Sequence, residues 1–387
     1  MTDTPTTMAA MLLQGHGDIE QLIYRTDVPT PSPNTGEVLV KVSATAKNNT
    51  DRKVREGLYP TQDNSTVTSF QMTESPTLSF PRIQGADVVG RVVAVGKGVS
   101  TERIGQRGLL DFNIYADQRD DINLTPDYFG HGRDGGFAEY IAVPADQFYD
   151  MSDCPYSDAE LAALGMCSYQ TAYHMLTSAR VKAGEHILIS GASGGVGTAL
   201  IQLCRLLGAT PYAISSPGKS EGLKALGAAS VIDRTQVSDW RSAVAKATGG
   251  VIIDAVMDLA GGSMINPLLD VMTEHMSQRK DYPRLSIAGA SAGNVTDILW
   301  TKIYLYQIQL FGVSHGTRAE ARQLMHWIRQ GDLKPVLHGT FPLSELHAAE
   351  RYFASGRAQD YLGKLVIVPD SEWQQHGAPY AIQGVSA

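Results

Sequence analysis

The chain of 387 residues is too long for one ordinary core and, at roughly 150 residues per domain, points to two or three folded units. Hydrophobic residues make up 43% and charged residues 19%, which excludes disorder, while 38 glycines and 18 prolines imply many tight connections. A net charge of -8, with 32 basic residues dispersed along the chain, leaves no electrostatic footprint for nucleic acid or an anionic membrane, so a small molecule is the expected partner.

Cys154, Cys167 and Cys204 are too widely spaced for a disulfide framework or a CxxC pair, which fits a reducing compartment. The stretch "MTDTPTTMAAML" lacks a basic region and a long apolar core, and no run approaches about 18 apolar residues. A cytoplasmic location is the expectation.

Up to about residue 150 the pattern is one of short alternating runs broken by turn residues: "GEVLVKVSATA", "ADVVGRVVAVG", "GQRGLLDFN" and "GGFAEYIAVPADQFYDM". These predict a β-rich unit over residues 1–157, with Gly90 and Gly96 bounding an apolar run as a sharply turning small barrel requires. From "SDAELAALGMCSYQTAYHMLTS" the period becomes helical, and Ser157 with Glu160 three residues on has the spacing of a capping box. The runs "HILIS", "TPYAISS", "ASVIDR", "VIIDAVMD", "RLSIAG" and "IQLFGV" then alternate with helical stretches, which predicts a Rossmann doubly wound parallel sheet over residues 158–318. An amphipathic helix at "RAEARQLMHWIRQGDLKP" and a strand at "GKLVIVP" belong to a segment, 319–387, expected to return to the first unit.

The strand "HILIS" runs into "GASGGVG", where Gly191, Gly194, Gly195 and Gly197, with Ser193 and Val196 between them, precede a helix. Backbone amides there can approach a pyrophosphate closely, and the helix N-terminus adds about half a positive charge. The first glycine of a GxGxxG frame is Ala192, so the context of strand, loop, helix and second strand carries the reading of a dinucleotide site. An NAD site carries Asp or Glu about 20 residues beyond the loop to bond the ribose. Ser215 and Ser216 stand there instead, with Lys219 following, and hydroxyls plus a cation suit a 2′-phosphate that a carboxylate repels. NADP(H) is the expected cofactor. The competing reading is an ordinary turn with a solvated lysine.

Taken in order, "GEVLVKVSATAKNNTD", "REGLYP", "GADVVGRVVAVGKGV", "GGFAEYIAVP", "TAYHML", "GASGGVGTALIQLCRLLGA", "VIIDAVMD", "LFGVSHGT", "GDLKPVLHGTFPLSELHAAERYFASG" and "GKLVIVP" resemble the medium-chain dehydrogenase/reductase superfamily, and most closely its quinone-oxidoreductase-like, zinc-independent branch. The resemblance implies a GroES-like β-barrel catalytic domain beside the Rossmann domain, hydride transfer with NAD(P)(H), and a homodimer. On that analogy "YLYQIQLFGV" is the pairing edge of the dimer, although an internal strand is equally compatible with its sequence.

Zinc-dependent members carry a cysteine before "TD", a histidine followed by glutamate after a glycine, and a later cysteine, histidine or aspartate. This chain offers Asn48, Ala86 with Asp87, and Cys167 at those positions. Only Cys167 is a competent soft ligand, and residues 100 to 150 hold no cysteine for a structural zinc lobe, so no metal is expected. A site rebuilt from Asp87, Cys167 and His131 is conceivable, but no spacing requires it.

The resemblance places the amide of Asn48 beside the nicotinamide, to orient cofactor or donate to a substrate oxygen, against the plainer reading of an Asx-type turn. Tyr59 resembles the family's pocket tyrosine, against simple packing before Pro60. Asp51 is expected to be scaffolding. Thr171, Gly289, Leu310, Phe311 and Gly312 are cofactor-side by the same analogy, and Gly363 and Lys364 are placed within reach of the phosphates, Lys364 being otherwise a surface residue. Two stretches depart from the family, residues 61–80 and 113–136, either as lids or as solvated decoration.

Without a Lewis acid a saturated alcohol does not easily reach an alkoxide, so the expected reaction is NADPH-dependent hydride transfer to a quinone or an α,β-unsaturated carbonyl. The alternatives are a zinc-type alcohol dehydrogenase or aldehyde reductase, an enoyl-thioester reductase, for which no cationic cluster is visible, and a non-enzymatic NADPH-binding protein of structural or sensing role.

Overall fold

The computed structural model describes residues 4–59, 78–124, 127–293, 296–355 and 361–382. The chain divides into two units: residues 1–167, 321–357 and 364–387 form the first, and residues 168–320 with 358–363 the second. The divisions expected from the change of sequence pattern, 157/158 and 318/319, lie ten and two residues from these. Most of the segment 61–80 lies outside the described residues.

The first unit opens with β1 (Thr7–Leu13), β2 (Leu22–Pro29), β3 (Glu37–Ala46), α1 (Asn49–Arg55), β4 (Arg82–Ile83), β5 (Asp87–Val95), β6 (Arg107–Leu110), β7 (Tyr140–Pro144), β8 (Phe148–Asp150) and α2 (Asp158–Ala163). Strand β3 alternates little because both of its faces are covered, and only Lys41 among its ten residues is not buried. Its valines pack with Val88, Val92, Leu110, Phe129 and Ile141 into one core. Register shifts along the β3–β5 pair bend the sheet, and a Cβ on Gly90 would meet the Lys41 carbonyl oxygen at 2.2 Å. That is the tight approach expected of a small barrel.

The stretch read as one helix after Ser157 is two. The capping box forms, with Glu160 N–H on Ser157 Oγ and Ser157 N–H on Glu160 Oε2, but α2 ends at Ala163 and α3 (Met166–Ser178) starts afresh. The reason lies at Gly165, where a Cβ would meet Asp87 Cγ at 2.1 Å. The chain breaks its helix to pass against a buried carboxylate, which no local propensity records.

The second unit contains β9 (His186–Ile189), α4 (Gly195–Leu206), β10 (Thr210–Ser215), α5 (Ser220–Leu226), β11 (Ser230–Asp233), α6 (Trp240–Thr248), β12 (Ala255–Asp258), α7 (Ile265–Met272), β13 (Arg284–Ile287), α8 (Trp300–Leu305) and β14 (Gln309–Gly312). The six strands pair in parallel in the order β11-β10-β9-β12-β13-β14. This is the doubly wound dinucleotide-binding order, with the switch point between β9 and β12. Leu188, Ile214, Val256, Leu268 and Leu285 fill the core between sheet and helices.

After α9 (Arg318–Gln330) the chain rejoins the first unit through β15 (Leu337–Pro342), α10 (Leu346–Ser355) and β16 (Lys364–Val368). Strand β16 pairs antiparallel with the end of β3, completing a seven-stranded sheet, β15-β16-β3-β5-β6-β8 with β7 also on β3. Among the described residues no helix is long and apolar enough to cross a membrane.

Replacing Gly165 by alanine should push a methyl group into the Asp87 carboxyl and lower folding stability by about 1–3 kcal/mol in urea denaturation. An unchanged midpoint would show that the helix break does not depend on this contact.

Candidate functional site

Strand β3 ends at Ala46, and the next residues turn into α1 with Asn48 as N-cap. The backbone N–H of Asn48 donates to Asp51 Oδ2 at 2.7 Å. The side-chain Nδ2 donates to Asp87 Oδ2 at 2.9 Å and to the Ala46 carbonyl at 3.2 Å. Lys364 Nζ donates to the same Asp87 oxygen at 2.9 Å and to Asn48 Oδ1. The other Asp87 oxygen accepts the backbone N–H of Cys167 at 2.8 Å.

Asn48 and Lys364 are thus brought together: the Lys364 side chain is buried in the first unit, and its ammonium pairs with a carboxylate of zero exposure. Both ends of the Asn48 amide are engaged, its oxygen toward the ammonium and its nitrogen toward the carboxylate, which fixes its orientation. Its neighbour Lys47 is buried as well, 2.8 Å from Glu350 Oε1 of α10 and 4.0 Å from the centre of the Phe353 ring. Arg55 reaches the other Glu350 oxygen at 3.3 Å, so α1 is tied to α10 by charge.

Burial pushes the Asp51 carboxyl up to about 6, with the positive charge of Lys47 opposing the shift. The hydrogen bond that places Asp51 in the turn, from the Asn48 N–H, is of the scaffolding kind expected of it.

Thr50, in the first turn of α1, shares a hydrogen bond with the hydroxyl of Tyr128. Tyr59 is half-buried, with Lys53 Nζ 5.7 Å from its ring centre. Burial raises both phenols, Tyr128 the more, so they are donors at neutral pH. Burial, and then the negative charge of Asp87, hold the Cys167 thiol well above its usual value, so with no metal cation beside it the thiol keeps its proton.

The zinc positions of relatives are filled here by a neutral amide, an alanine, a protonated thiol and, bonded to Asn48 and Asp87, an ammonium. A cation repels a divalent metal, and this donor set does not fit zinc. His131 is engaged elsewhere, with Nδ1 2.7 Å from Asp127 Oδ1. Among the described residues no three His, Cys, Asp or Glu side chains gather as a metal-binding group.

In the second unit β9 delivers the glycine loop. Gly191 has a positive φ of 63°, Gly194 is the N-cap of α4, and Gly195, Val196 and Gly197 form its first turn. A Cβ on Gly197 would meet Ala192 Cα at 2.5 Å, so only glycine lets the helix start this close to the loop. The carbonyl of Ser193 accepts the N–H of Gly363 at 2.9 Å, which places Gly363 against the loop.

At the end of β10 the hydroxyl of Ser215 is buried with no hydrogen-bond partner among the described residues, and Ser216 is half-buried. Lys219 folds back, its Nζ 3.5 Å from Ser193 Oγ and 5.9 Å from the centre of the Tyr361 ring. Gly289 follows β13, where a Cβ would meet the Leu259 carbonyl oxygen at 2.5 Å. Thr171 is buried on α3. Leu310, Phe311 and Gly312 lie in β14, the last strand of the sheet, with Leu310 40% exposed and Phe311 under the Arg180 guanidinium.

Sequence reasoning missed Thr50, Tyr128 and the placement of Lys364, and valued Asp87 only as a poor metal ligand. A threonine beside "ND"-like capping residues had a local signal; Tyr128, inside the enlarged segment, had none. Asp258 was also passed over: it closes the loop region by accepting from Ser190 Oγ and from the N–H groups of Ala260 and Gly261, each at 3.0 Å.

A glycine-lined turn at the head of a doubly wound sheet, joined to a barrel with a polar, hydroxyl-bearing cluster, defines an oxidoreductase of the kind that binds nicotinamide dinucleotides. Residues 34–153 match the family model of the alcohol dehydrogenase GroES-like domain, and residues 195–330 match that of the zinc-binding dehydrogenases. The chain belongs to the medium-chain dehydrogenase/reductase superfamily. A solved structure from Sinorhizobium meliloti 1021, provisionally named an alcohol dehydrogenase, is 45% identical with a TM-score of 0.88, covering 96% of this chain and 99% of its own. The 2-methylene-furan-3-one reductase of Solanum lycopersicum is 29% identical over 94% of this chain and 80% of its length. The quinone oxidoreductase of Homo sapiens is 27% identical, with 93% and 98% covered.

A carboxyl raised in the fold keeps its proton longer there than in the unfolded chain. Between about pH 4 and pH 6 the native state then binds more protons, and stability falls as pH rises through that window. Against wild type, Asp51→Asn should gain relative stability across this range by up to ~3 kcal/mol, read from urea melts at successive pH values. A difference independent of pH would remove Asp51 from the titrating groups.

Proposed function

We propose that the protein is an NADPH-dependent oxidoreductase that transfers hydride to a quinone or an α,β-unsaturated carbonyl without a metal. The observation that carries this reading is the ammonium of Lys364 bonded to Asn48, at a position where zinc-dependent relatives have a cysteine, and to Asp87, next to the Ala86 that stands for their histidine. With no Lewis acid to generate an alkoxide, the favourable direction is addition of hydride to a carbon already activated by conjugation. The negative charge that develops on the acceptor oxygen needs only hydrogen-bond donors, and Thr50 and Tyr59 are protonated hydroxyls suited to that. The names of two relatives, a quinone oxidoreductase and a 2-methylene-furan-3-one reductase, support the acceptor class.

For the cofactor, the absence of a carboxylate at the end of β10, the unpartnered hydroxyl of Ser215 and the nearby ammonium of Lys219 favour NADPH. The expected partner is a small-molecule acceptor rather than nucleic acid or a membrane. A second copy of the chain is the proposed assembly partner: β14 ends the parallel sheet, and beside it in sequence Trp300, Tyr304 and Leu305 of α8 are 63%, 64% and 67% exposed.

Oxidation of NADPH and NADH should be followed with 1,4-benzoquinone, 9,10-phenanthrenequinone, methyl vinyl ketone, crotonyl-CoA and an aldehyde. Turnover of the quinones or the enone with NADPH preferred is expected. Lys219→Ala should raise KM for NADPH at least about tenfold, the loss of one charge-assisted phosphate contact, and leave NADH nearly unchanged. Inactivity with every acceptor, or NADH preferred, would overturn the respective half of the reading, as would stoichiometric zinc whose removal abolishes activity. Light scattering after gel filtration should give twice the chain mass, reduced to one chain mass by Leu310→Arg; a monomeric wild type would sink the assembly proposal.

A further inference from the structure

Helix α1 carries an ammonium that its surroundings leave uncompensated. Four cations stand between residues 47 and 55, and three of them meet a glutamate: Lys47 lies 2.8 Å and Arg55 3.3 Å from Glu350, and Arg52 lies 3.4 Å from Glu56. The fourth, Lys53, is 8% exposed, yet no carboxylate among the described residues is paired with it. The charge that acts on it is that of Arg52, which repels it. A lysine on a helix surface ordinarily keeps its head in water, and one taken out of water is almost always paired.

Lys53 follows Thr50 by three residues, so the two side chains share one face of α1. On that face Thr50 meets the hydroxyl of Tyr128, and one turn further Lys53 Nζ stands over the Tyr59 ring, 5.7 Å from its centre. An aromatic face attracts a cation without neutralising it. The positive charge is therefore held at the tyrosine of the polar cluster with no negative group to meet it.

We propose that Lys53 is a specificity-determining residue of the acceptor pocket, and that the acceptor is a conjugated carbonyl compound carrying a carboxylate, with which the Lys53 ammonium pairs. This rests on the reading of the residues around Asn48 and Tyr59 as the site of hydride transfer to quinones and enones.

The class of anion follows from the charges. One uncompensated positive charge matches one negative charge. A phosphate dianion, or the several phosphates of a CoA thioester, call for further cations, and Lys47, Arg52 and Arg55 are already engaged by glutamates. An ammonium is a compact point charge with three donors, which a carboxylate oxygen can meet without the planar fork an arginine would impose. Away from bulk water the attraction is also screened less. Burial, and then Arg52, push the lysine below its ordinary value; a bound carboxylate favours the charged form and opposes both.

Reduction of trans-4-oxopent-2-enoate, an enone bearing a carboxylate, should be compared with that of its methyl ester at neutral pH with NADPH in excess. Although the ester is the more electrophilic, wild type should favour the acid by about tenfold or more in kcat/KM, the size of one charge-assisted contact. Lys53→Met, which keeps the length of the side chain and removes its charge, should bring the ratio to one or below, and Lys53→Arg should keep most of it. A wild-type ratio near one or below, or the same ratio in wild type and Lys53→Met, would overturn the proposal. If Lys53→Met fails to fold, the wild-type ratio decides alone. Calorimetric titration with the saturated 4-oxopentanoate, NADP+ present, separates this inference from the functional reading. Binding that weakens in Lys53→Met, in a protein that reduces no quinone or enone, would keep the carboxylate site and overturn the reductase reading; enone reduction with no preference for the acid would do the reverse.

Discussion

Asp87 carries a carboxylate with no solvent contact, and the first unit is arranged around meeting it. Its oxygens take the Lys364 ammonium, the Asn48 amide and the Cys167 backbone N–H. Those groups stand at the start of β16, the N-cap of α1 and the start of α3, while Asp87 itself opens β5. One buried charge thus fastens four elements at one point, and removing Lys364 would leave it uncompensated, at roughly 3–5 kcal/mol for a broken buried pair. The helix break at Gly165 belongs to the same constraint, since the chain can pass the carboxyl only without a side chain.

This arrangement sets the electrostatics of the polar cluster. A cation is already present, supplied by the protein and saturated by Asn48 and Asp87, while the phenols of Tyr59 and Tyr128 and the Cys167 thiol are held in their neutral forms by burial. Such a site offers donors rather than a Lewis acid. Hydroxyl donors of this kind stabilise negative charge that develops on a bound oxygen. Burial pushes the Asp51 carboxyl up to about 6, in the same helical turn as Thr50.

Much of the fold was legible because it rests on local signals. The alternation of short apolar runs with helical stretches gave the parallel sheet, the glycines of "GASGGVG" gave the loop, and Ser157 with Glu160 gave a helix start, all features a chain carries within a few residues. The candidate site was legible in part. Asn48 and Tyr59 stood out by position in "TAKNNTDRKVREGLY", but what their side chains bond to depends on Asp87, Lys364, Thr50 and Tyr128, and two of these are 39 and 316 residues from Asn48.

What the sequence by itself determined is the class of architecture, the dinucleotide loop and the replacement of two zinc-ligand positions of relatives by Asn48 and Ala86, because periodicity, glycine placement and missing ligand types are properties of single segments. What only the tertiary structure decided is where the charges go. Lys364 follows a glycine at a strand start and reads locally as a surface or phosphate-binding cation, yet β16 pairs with the end of β3 and carries the ammonium inward to Asp87. Tyr128 sits in a segment with no pattern of its own, and becomes part of the cluster because the backbone folds around Asp127. Burial and long-range pairing fix the protonation and direction of each group, and neither can be read until strands distant in sequence have found their register.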